Sequence, residues 1–362
     1  MKLCFVVNHP KYLVGGAERQ SLELARLLSA RDFEVHVLSS GRISGRREVF
    51  EDSGVTVHVI RRRSQTALGT ILQSIDMISE MASINADVYY QRVASALTWL
   101  VWVFTVVSGK RFVFGMSFLW DADLASTRRL YDGSWLDKVG IARALYRQGL
   151  LHAAAIIAQT NDQFRALGDS AKGRCTVVPS LSNVAVGRKE KAKPPFVLWL
   201  ARMDWYKEPM TFIALAKDLP KVEFKMAGSG PLEVLVRREA EKIPNLSLLG
   251  AKPIEEADAL CGEASLVVNT SVVEGFPNTL LQAAAQGTPF VSLHYDPDGV
   301  IEGYGLGVFA RTFETLKVEV ESLLTDEKKR SAMGEKGMDY VRRVHGRDRV
   351  AGIYTEILRR VG

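Results

Sequence analysis

The run Glu274-Gly275-Phe276-Pro277-Asn278-Thr279 carries the clearest chemical signal in the sequence. It follows an apolar strand at residues 266–268 and leads into a helical pattern at 279–286. A carboxylate is thereby set beside a helix N-terminus, where backbone N–H groups lack intrahelical partners and carry partial positive charge. Glu274 can accept hydrogen bonds from sugar hydroxyls, while the amides of Phe276 to Leu280 can take up phosphate or sugar oxygens. A plain capping acid would account for Glu274 but not for the Gly-Phe-Pro-Asn that accompanies it. Two cations, Arg202 and Lys207, stand five positions apart just after an apolar strand at 196–200. Held at a strand end they would neutralise a diphosphate leaving group as its bond breaks. Ordinary surface charge is the alternative reading.

Two glycine turns, Gly15-Gly16-Ala17-Glu18-Arg19 and Gly228-Ser229-Gly230-Pro231, each follow a strand and open a helix. The second is expected to put Pro231 at the first helical position. Either could cradle an anion, and either reads equally well as a purely structural turn. Neither has the GxGxxG spacing of a dinucleotide fingerprint, which argues against a nicotinamide-dependent dehydrogenase.

The elements that must position these residues alternate between short apolar strands and amphipathic helices. In the first half, strands are expected at 3–7, 33–38, 55–60, 88–90, 111–114, 155–159 and 175–178, with a helix from 17 to about 30 whose leucines recur at helical spacing. A Lys-rich, Pro-containing stretch at 182–195 breaks the rhythm and reads as a linker. Alternation then resumes with strands at 196–200, 222–226, 246–249, 264–269 and 289–293 and helices between them. This is the grammar of parallel, doubly wound α/β sheets: two Rossmann-like domains, expected at 1–185 and 193–345, with a final helix within 346–362. Ligands of such sheets bind beyond the carboxyl ends of the strands, so facing halves would form a site in the cleft between them.

Composition sets the outer limits. At 362 residues, 47% hydrophobic and 24% charged, the chain has core enough for two globular domains. Residues 1–190 hold 24 Lys and Arg against 17 Asp and Glu, a net +7, while the remainder holds 23 against 24, a net −1. A basic half can face an anionic substrate, a membrane or nucleic acid, and charge alone does not choose. The three cysteines have no metal-ligand or disulfide-framework spacing, and the opening apolar run is too short for a signal-peptide core, so a reducing, cytoplasmic setting is expected. Residues 93–108 (VASALTWLVWVFTVVS) contain no charge but fall short of a membrane span. They read as a helix buried against a sheet, with a membrane-interface helix as the alternative.

Taken in order, these motifs resemble the retaining GT-B glycosyltransferases of the large family that includes sucrose synthases and bacterial lipopolysaccharide mannosyl- and glucosyltransferases (family 4-like, glycosyl transferases group 1). Gly15-Gly16 is similar to the family's N-terminal glycine loop, Arg202 and Lys207 to its Arg-x4-Lys pair, Gly228 to Pro231 to its GxGP turn, and Glu274 to the first acid of its Glu-x7-Glu motif. Asp296-Pro297-Asp298-Gly299, with Gly305 and Gly307, is similar to a common later block. The resemblance spans nearly the whole chain. It implies that Arg202 and Lys207 hold a donor diphosphate and Glu274 grips the donor sugar. Gly15, Gly16, Gly228, Gly230, Gly275, Phe276, Pro277, Asn278, Thr279 and Leu280 would complete the donor site, with the base near Ala251 and Lys252. It further implies retention of configuration, no bound metal, no cofactor besides the nucleotide-sugar substrate, and a last helix that crosses back to the first domain.

Two positions depart from the pattern. Eight residues beyond Glu274, where the family has its second Glu for the ribose hydroxyls, stands Gln282. A neutral carbonyl acceptor in place of a carboxylate should weaken that bond by roughly 1 kcal/mol. The first-domain His that often follows the strand at 111–114 is also absent; Ser117 or Asp121 could take part of its contact, and His9, at the end of the first strand, could point into the cleft but reads rather as structural. The expected activity is transfer from a UDP- or GDP-sugar to a glycan or lipid-linked acceptor in cell-surface polysaccharide synthesis. The acceptor would lie on the basic first domain, with peripheral contact at the inner membrane face and no nucleic acid partner. A catalytically weak or inactive subunit that binds nucleotide or a partner protein is the alternative.

Overall fold

The computed structural model describes residues 1–12, 15–41, 45–125, 130 and 135–362. The chain forms two compact units, Met1–Leu181 joined by Arg347–Gly362, and Ser182–Gly346.

The first unit runs β1 (Lys2–Val6), α1 (Gly16–Ser29), β2 (Glu34–Ser40), β3 (Glu48–Asp52), β4 (Val55–Ile60), α2 (Ala67–Ile84), β5 (Val88–Arg92), α3 (Leu97–Val107) and β6 (Arg111–Gly115). Short helices α4 (Leu119–Ala122) and α5 (Trp135–Lys138) precede α6 (Ala142–Leu151), β7 (Ala155–Ala158), α7 (Asn161–Ala166), α8 (Asp169–Lys172) and β8 (Cys175–Val177). The sheet order is β3-β4-β2-β1-β5-β6-β7-β8, parallel throughout except for the antiparallel edge strand β3. Sequence reading missed β3 because Glu-Val-Phe-Glu-Asp is largely exposed and shows no apolar run. One face of the sheet is covered by α1 and by residues 347–361. Val350, Tyr354, Ile357 and Leu358 join the core of Leu3, Phe5, Val35 and Val57, and Tyr354 meets Tyr90 edge to face at 6.3 Å.

Helix α3 is the uncharged segment, and it is a packed helix. Thr98, Val101 and Thr105 are buried, Trp102 stacks on His152 at 4.5 Å, and α6 approaches closely at Gly149. A Cβ there would lie 2.6 Å from the Thr98 carbonyl oxygen, so only glycine admits this crossing.

The second unit runs β9 (Phe196–Leu200), α9 (Pro209–Asp218), β10 (Glu223–Ala227), α10 (Glu233–Ala240), β11 (Leu246–Gly250), α11 (Ile254–Glu263), β12 (Leu266–Asn269) and α12 (Asn278–Ala285). It continues with β13 (Phe290–Ser292), α13 (Val300–Gly303), β14 (Gly307–Phe309), α14 (Phe313–Thr325) and α15 (Glu327–Val344); α16 (Arg347–Val361) is the helix that returns to the first unit. Its sheet is parallel, in the order β11-β10-β9-β12-β13-β14. Residues 182–195 belong to this unit rather than standing between two. Val184, Val186 and Ala192 pack on its core, and the Lys191 ammonium donates to the Gly262 carbonyl (2.7 Å) and the Thr288 hydroxyl (2.5 Å). Lys191 thus buries its stem while its ammonium keeps polar partners, whereas Lys189 and Lys193 are exposed.

Candidate functional site

In the second sheet the strand order reverses beside β9: β10 and β11 follow on one side, β12 to β14 on the other. The loops leaving β9 and β12 meet at the carboxyl edge of the sheet, where the Val272 N–H donates to the Tyr206 carbonyl (2.9 Å), and a strand-order reversal of this kind is the usual binding position of an open α/β sheet. Lys207 leaves from β9 and Glu274 from β12, and their side chains form a largely buried ion pair. Thr270 fixes the geometry: its hydroxyl accepts from Trp199 Nε1 (2.9 Å) and donates to the Lys207 carbonyl (2.6 Å). The turn Trp205–Lys207 is capped by Asp204, whose carboxylate accepts from the Trp205 N–H (2.8 Å). Glu208 then adopts a left-handed conformation (φ 46°), which lets Pro209 start α9. Burial, reinforced by Glu274 and Asp204, pushes the Tyr206 phenol up to about 12, so it stays a neutral wall beside Lys207. Arg202 is more than half exposed and donates from Nε to Asp204 (3.2 Å).

The glycines after β10 have a packing reason. At Gly228 (φ 142°) a Cβ would lie 1.8 Å from the Ala201 carbonyl oxygen, and at Gly230 (φ 158°) 2.5 Å from that of Met203. The Met203 N–H donates to the Ser229 carbonyl (2.9 Å) and the Gly228 N–H to the Gly250 carbonyl (2.8 Å). Locking 228–230 against 201–203 is what places Arg202. Pro231 precedes the helix rather than starting it, since α10 begins at Glu233. Beyond β11, Ala251 is exposed and Lys252 pairs with Glu256 at 3.0 Å.

The Glu274 loop is held by its own residues. Tyr295 donates its hydroxyl to the Gly275 carbonyl (3.1 Å), and Phe276 packs against His345 with ring centres 4.7 Å apart. Pro277 caps α12 without a side-chain hydrogen bond, and Asn278, Thr279 and Leu280 form the first turn. Gln282, nearly buried, donates its amide to Asp258 on α11 (2.5 Å). Asp258 carries no sequence signal, because a carboxylate 24 residues upstream becomes a neighbour only when α11 packs on α12. The block at 296–307 serves local folding. Asp296 accepts from the N–H groups of Ile301 and Glu302, and Gly307 is pressed against Phe290.

The first-unit candidates are differently placed. Gly15 and Gly16 head α1, with Gly15 in extended backbone. Asp121 is buried and accepts from the N–H groups of Ser117 (2.6 Å) and Phe118 (2.9 Å), so its carboxylate closes its own loop rather than facing outward as a stand-in for the missing His. Burial raises its pKa, opposed by those two amides. Ser117 accepts from Arg92 Nε (3.2 Å). His9 is structural: Nδ1 accepts from the Lys11 N–H and Nε2 bonds Asp52 at 3.0 Å. Sequence reading passed over Arg92, a buried cation at the end of β5, followed by Val93 with φ 76°, an uncommon conformation for a β-branched residue. Gln91 steadies that bend by donating to the carbonyls of Arg92 and Val93.

Among the described residues, no group of His, Cys, Asp or Glu is placed to hold a metal. Two family profiles match the sequence in series: "Glycosyltransferase Family 4" over residues 14–181 and "Glycosyl transferases group 1" over 185–339. No curated protein matches the sequence. Among solved structures, a sucrose-phosphate synthase from Thermosynechococcus elongatus is similar with a TM-score of 0.77 at 14% identity, covering 99% of each chain. A glycosyltransferase from Rickettsia africae gives 0.67 at 13% identity over 99% of this chain and 98% of that one. A trehalose-6-phosphate structure from E. coli bound with UDP-2-fluoro glucose gives 0.71 at 10% identity over the whole of both. The two sheets, their strand orders and the paired profiles agree: the chain belongs to the group 1, family 4-like glycosyltransferases and has the GT-B fold.

Proposed function

We propose that this glycosyltransferase is a retaining hexosyltransferase that takes its sugar from a UDP- or GDP-sugar and works without a bound metal. Its product would be a cell-surface polysaccharide precursor, built on a glycan or lipid-linked acceptor at the inner face of the membrane. The second unit would hold the donor and the basic first unit the acceptor.

The observation that carries this reading is the Lys207–Glu274 pair at the strand-order reversal. Donor binding would draw Lys207 and Arg202 onto the diphosphate, whose growing charge they neutralise as the glycosidic bond breaks. Glu274 would then accept hydrogen bonds from the sugar hydroxyls, and backbone amides at the start of α12 would meet sugar or phosphate oxygens. Gln282 would bind the ribose through its carbonyl oxygen, its nitrogen being engaged by Asp258.

Release of free nucleotide from UDP-, GDP- and ADP-sugars, with a thermal-shift screen of the same compounds, tests the proposal. Turnover that disappears in Lys207→Ala and Glu274→Ala is the expected result. Nucleotide binding with no turnover of any donor would instead support the non-catalytic subunit, a reading favoured by the absent His and the inward-turned Asp121.

A further inference from the structure

Helix α2 turns one strongly apolar face to solvent. Leu68, Ile71 and Ile75 are 66%, 57% and 56% exposed, and Leu72 and Ile78 are also exposed. At 3.6 residues per turn these five fall within roughly a third of the helix circumference. The opposite face is occupied, since Met77, Met81 and Ile84 pack into the sheet core. Both acids of the helix are neutralised at its sides: Asp76 pairs with Arg63 at 2.7 Å, and buried Glu80 is held by Arg47 and His58. The outward stripe therefore carries no charge of its own. Helix α5 lies beside it, tied by Lys138 Nζ to the Gln65 carbonyl (3.3 Å), and adds exposed Trp135, with Val139 and Ile141 exposed just after it. The rim is cationic, with Arg61, Arg62 and Lys138 exposed around the start of α2.

The geometry points to this face as a docking surface for an anionic lipid bilayer, with α2 lying in the interface plane. An aliphatic stripe enters the acyl boundary while flanking arginines and lysine stay at the headgroups, and an indole suits the same depth. Charge complementarity selects the occupant. The acids that would repel anionic headgroups are paired or buried, and residues 1–190 carry +7. No helix of the described residues is long and apolar enough to cross a membrane, so the contact proposed is one of lying on the surface. This locates, on named residues, the membrane contact of the proposed function and rests on that reading for its purpose; the docking itself requires neither donor nor acceptor. The uncharged α3 differs: it buries Thr98, Val101 and Thr105 and leaves exposed only Val106 and Val107 at its end, whereas the exposed apolar stripe of α2 runs along most of the helix.

Co-sedimentation of the full chain tests it, using vesicles of phosphatidylcholine alone and vesicles containing about one-third phosphatidylglycerol. The chain should bind the anionic vesicles and be released by salt. Ile71→Ser with Ile75→Ser should lower the partition by about tenfold or more. Arg62→Glu with Lys138→Glu should abolish the preference for anionic lipid. Both double variants should keep the thermal midpoint and the donor hydrolysis of the parent. Failure of the parent to bind, or binding unchanged by the isoleucine substitutions, overturns the proposal. So does a concentration-dependent dimer, seen by sedimentation velocity and lost in the isoleucine variant, without vesicle binding. Vesicle binding in a chain that turns over no donor leaves the docking face standing and removes only the transferase reading.

Discussion

The two sheets reverse strand order at corresponding places, β1/β5 in the first unit and β9/β12 in the second, yet the polar groups at their carboxyl edges are arranged to opposite ends. Beside β9/β12, Lys207 and Glu274 meet as a lysine and a carboxylate drawn from loops on different strands. Around β1/β5, His9 is fixed by Asp52 and Lys11, Arg92 bonds the Ser117 hydroxyl, and Asp121 closes its own turn. The same topology thus holds a largely buried lysine–carboxylate pair, the one proposed to exchange partners with a donor, in one unit and a set of hydrogen bonds among loop residues in the other. A strand-order reversal supplies a location; the residues leaving the strands decide whether it becomes reactive.

The sharpest way to break that contrast is to remove the pair. Lys207→Ala or Glu274→Ala should lower sugar transfer by about 100-fold or more. Each single change also strands a buried charge, at a stability cost of about 3 kcal/mol. Lys207→Met combined with Glu274→Gln should recover the melting temperature without recovering turnover, which separates chemistry from folding. Next in size is backbone. Gly228→Ala, blocked by the Ala201 carbonyl and by its positive φ, should cost about 3 kcal/mol in urea unfolding. Gly15→Ala meets only the flexible end of Glu18 in extended backbone and should cost under about 1 kcal/mol. Asp121→Ala should destabilise by about 2 kcal/mol through two lost amide bonds while leaving the turnover of folded protein close to that of the parent.

Gln282→Glu sharpens the comparison within the donor unit. Restoring the family's acid would set a second carboxylate against Asp258, so donor affinity by calorimetry should fall by roughly 1 kcal/mol. Adding Asp258→Asn should reverse the loss. The smallest effect is a pH slope. Burial lowers the pKa of His58 below its ordinary 6.5, with Glu80 opposing. As pH falls below about 6.5 the unfolded chain takes up a proton that the folded first unit resists, so stability should decline on acidification and level off once the folded-state pKa is passed. His58→Gln, which keeps a donor to Glu80, should flatten that slope in thermal melts.

Helices α2 and α3 show where sequence reading stops. The absence of charge in α3 drew attention to it, but a run that is apolar all round does not report which side faces a neighbour. In α2 both sides are apolar too, Met77 and Met81 inward and Ile71 and Ile75 outward, so its exposed stripe emerged only with packing. Thr270 and Asp258 were equally silent, each an ordinary residue until its partner arrives from elsewhere in the chain.

By itself the sequence determined the alternation of strand and helix, the order of Gly15-Gly16, Arg202, Lys207, Gly228 and Glu274, and through them the GT-B fold and the family. These are readable because backbone preference and the facing of side chains repeat over a few residues. The meeting of Lys207 with Glu274 across 67 positions, the orientation of Gln282 by Asp258, the inward turn of Asp121 and the bare face of α2 were decided by tertiary structure. Each depends on strand order and helix packing, which are set by contacts far apart in the chain and leave no local period to read.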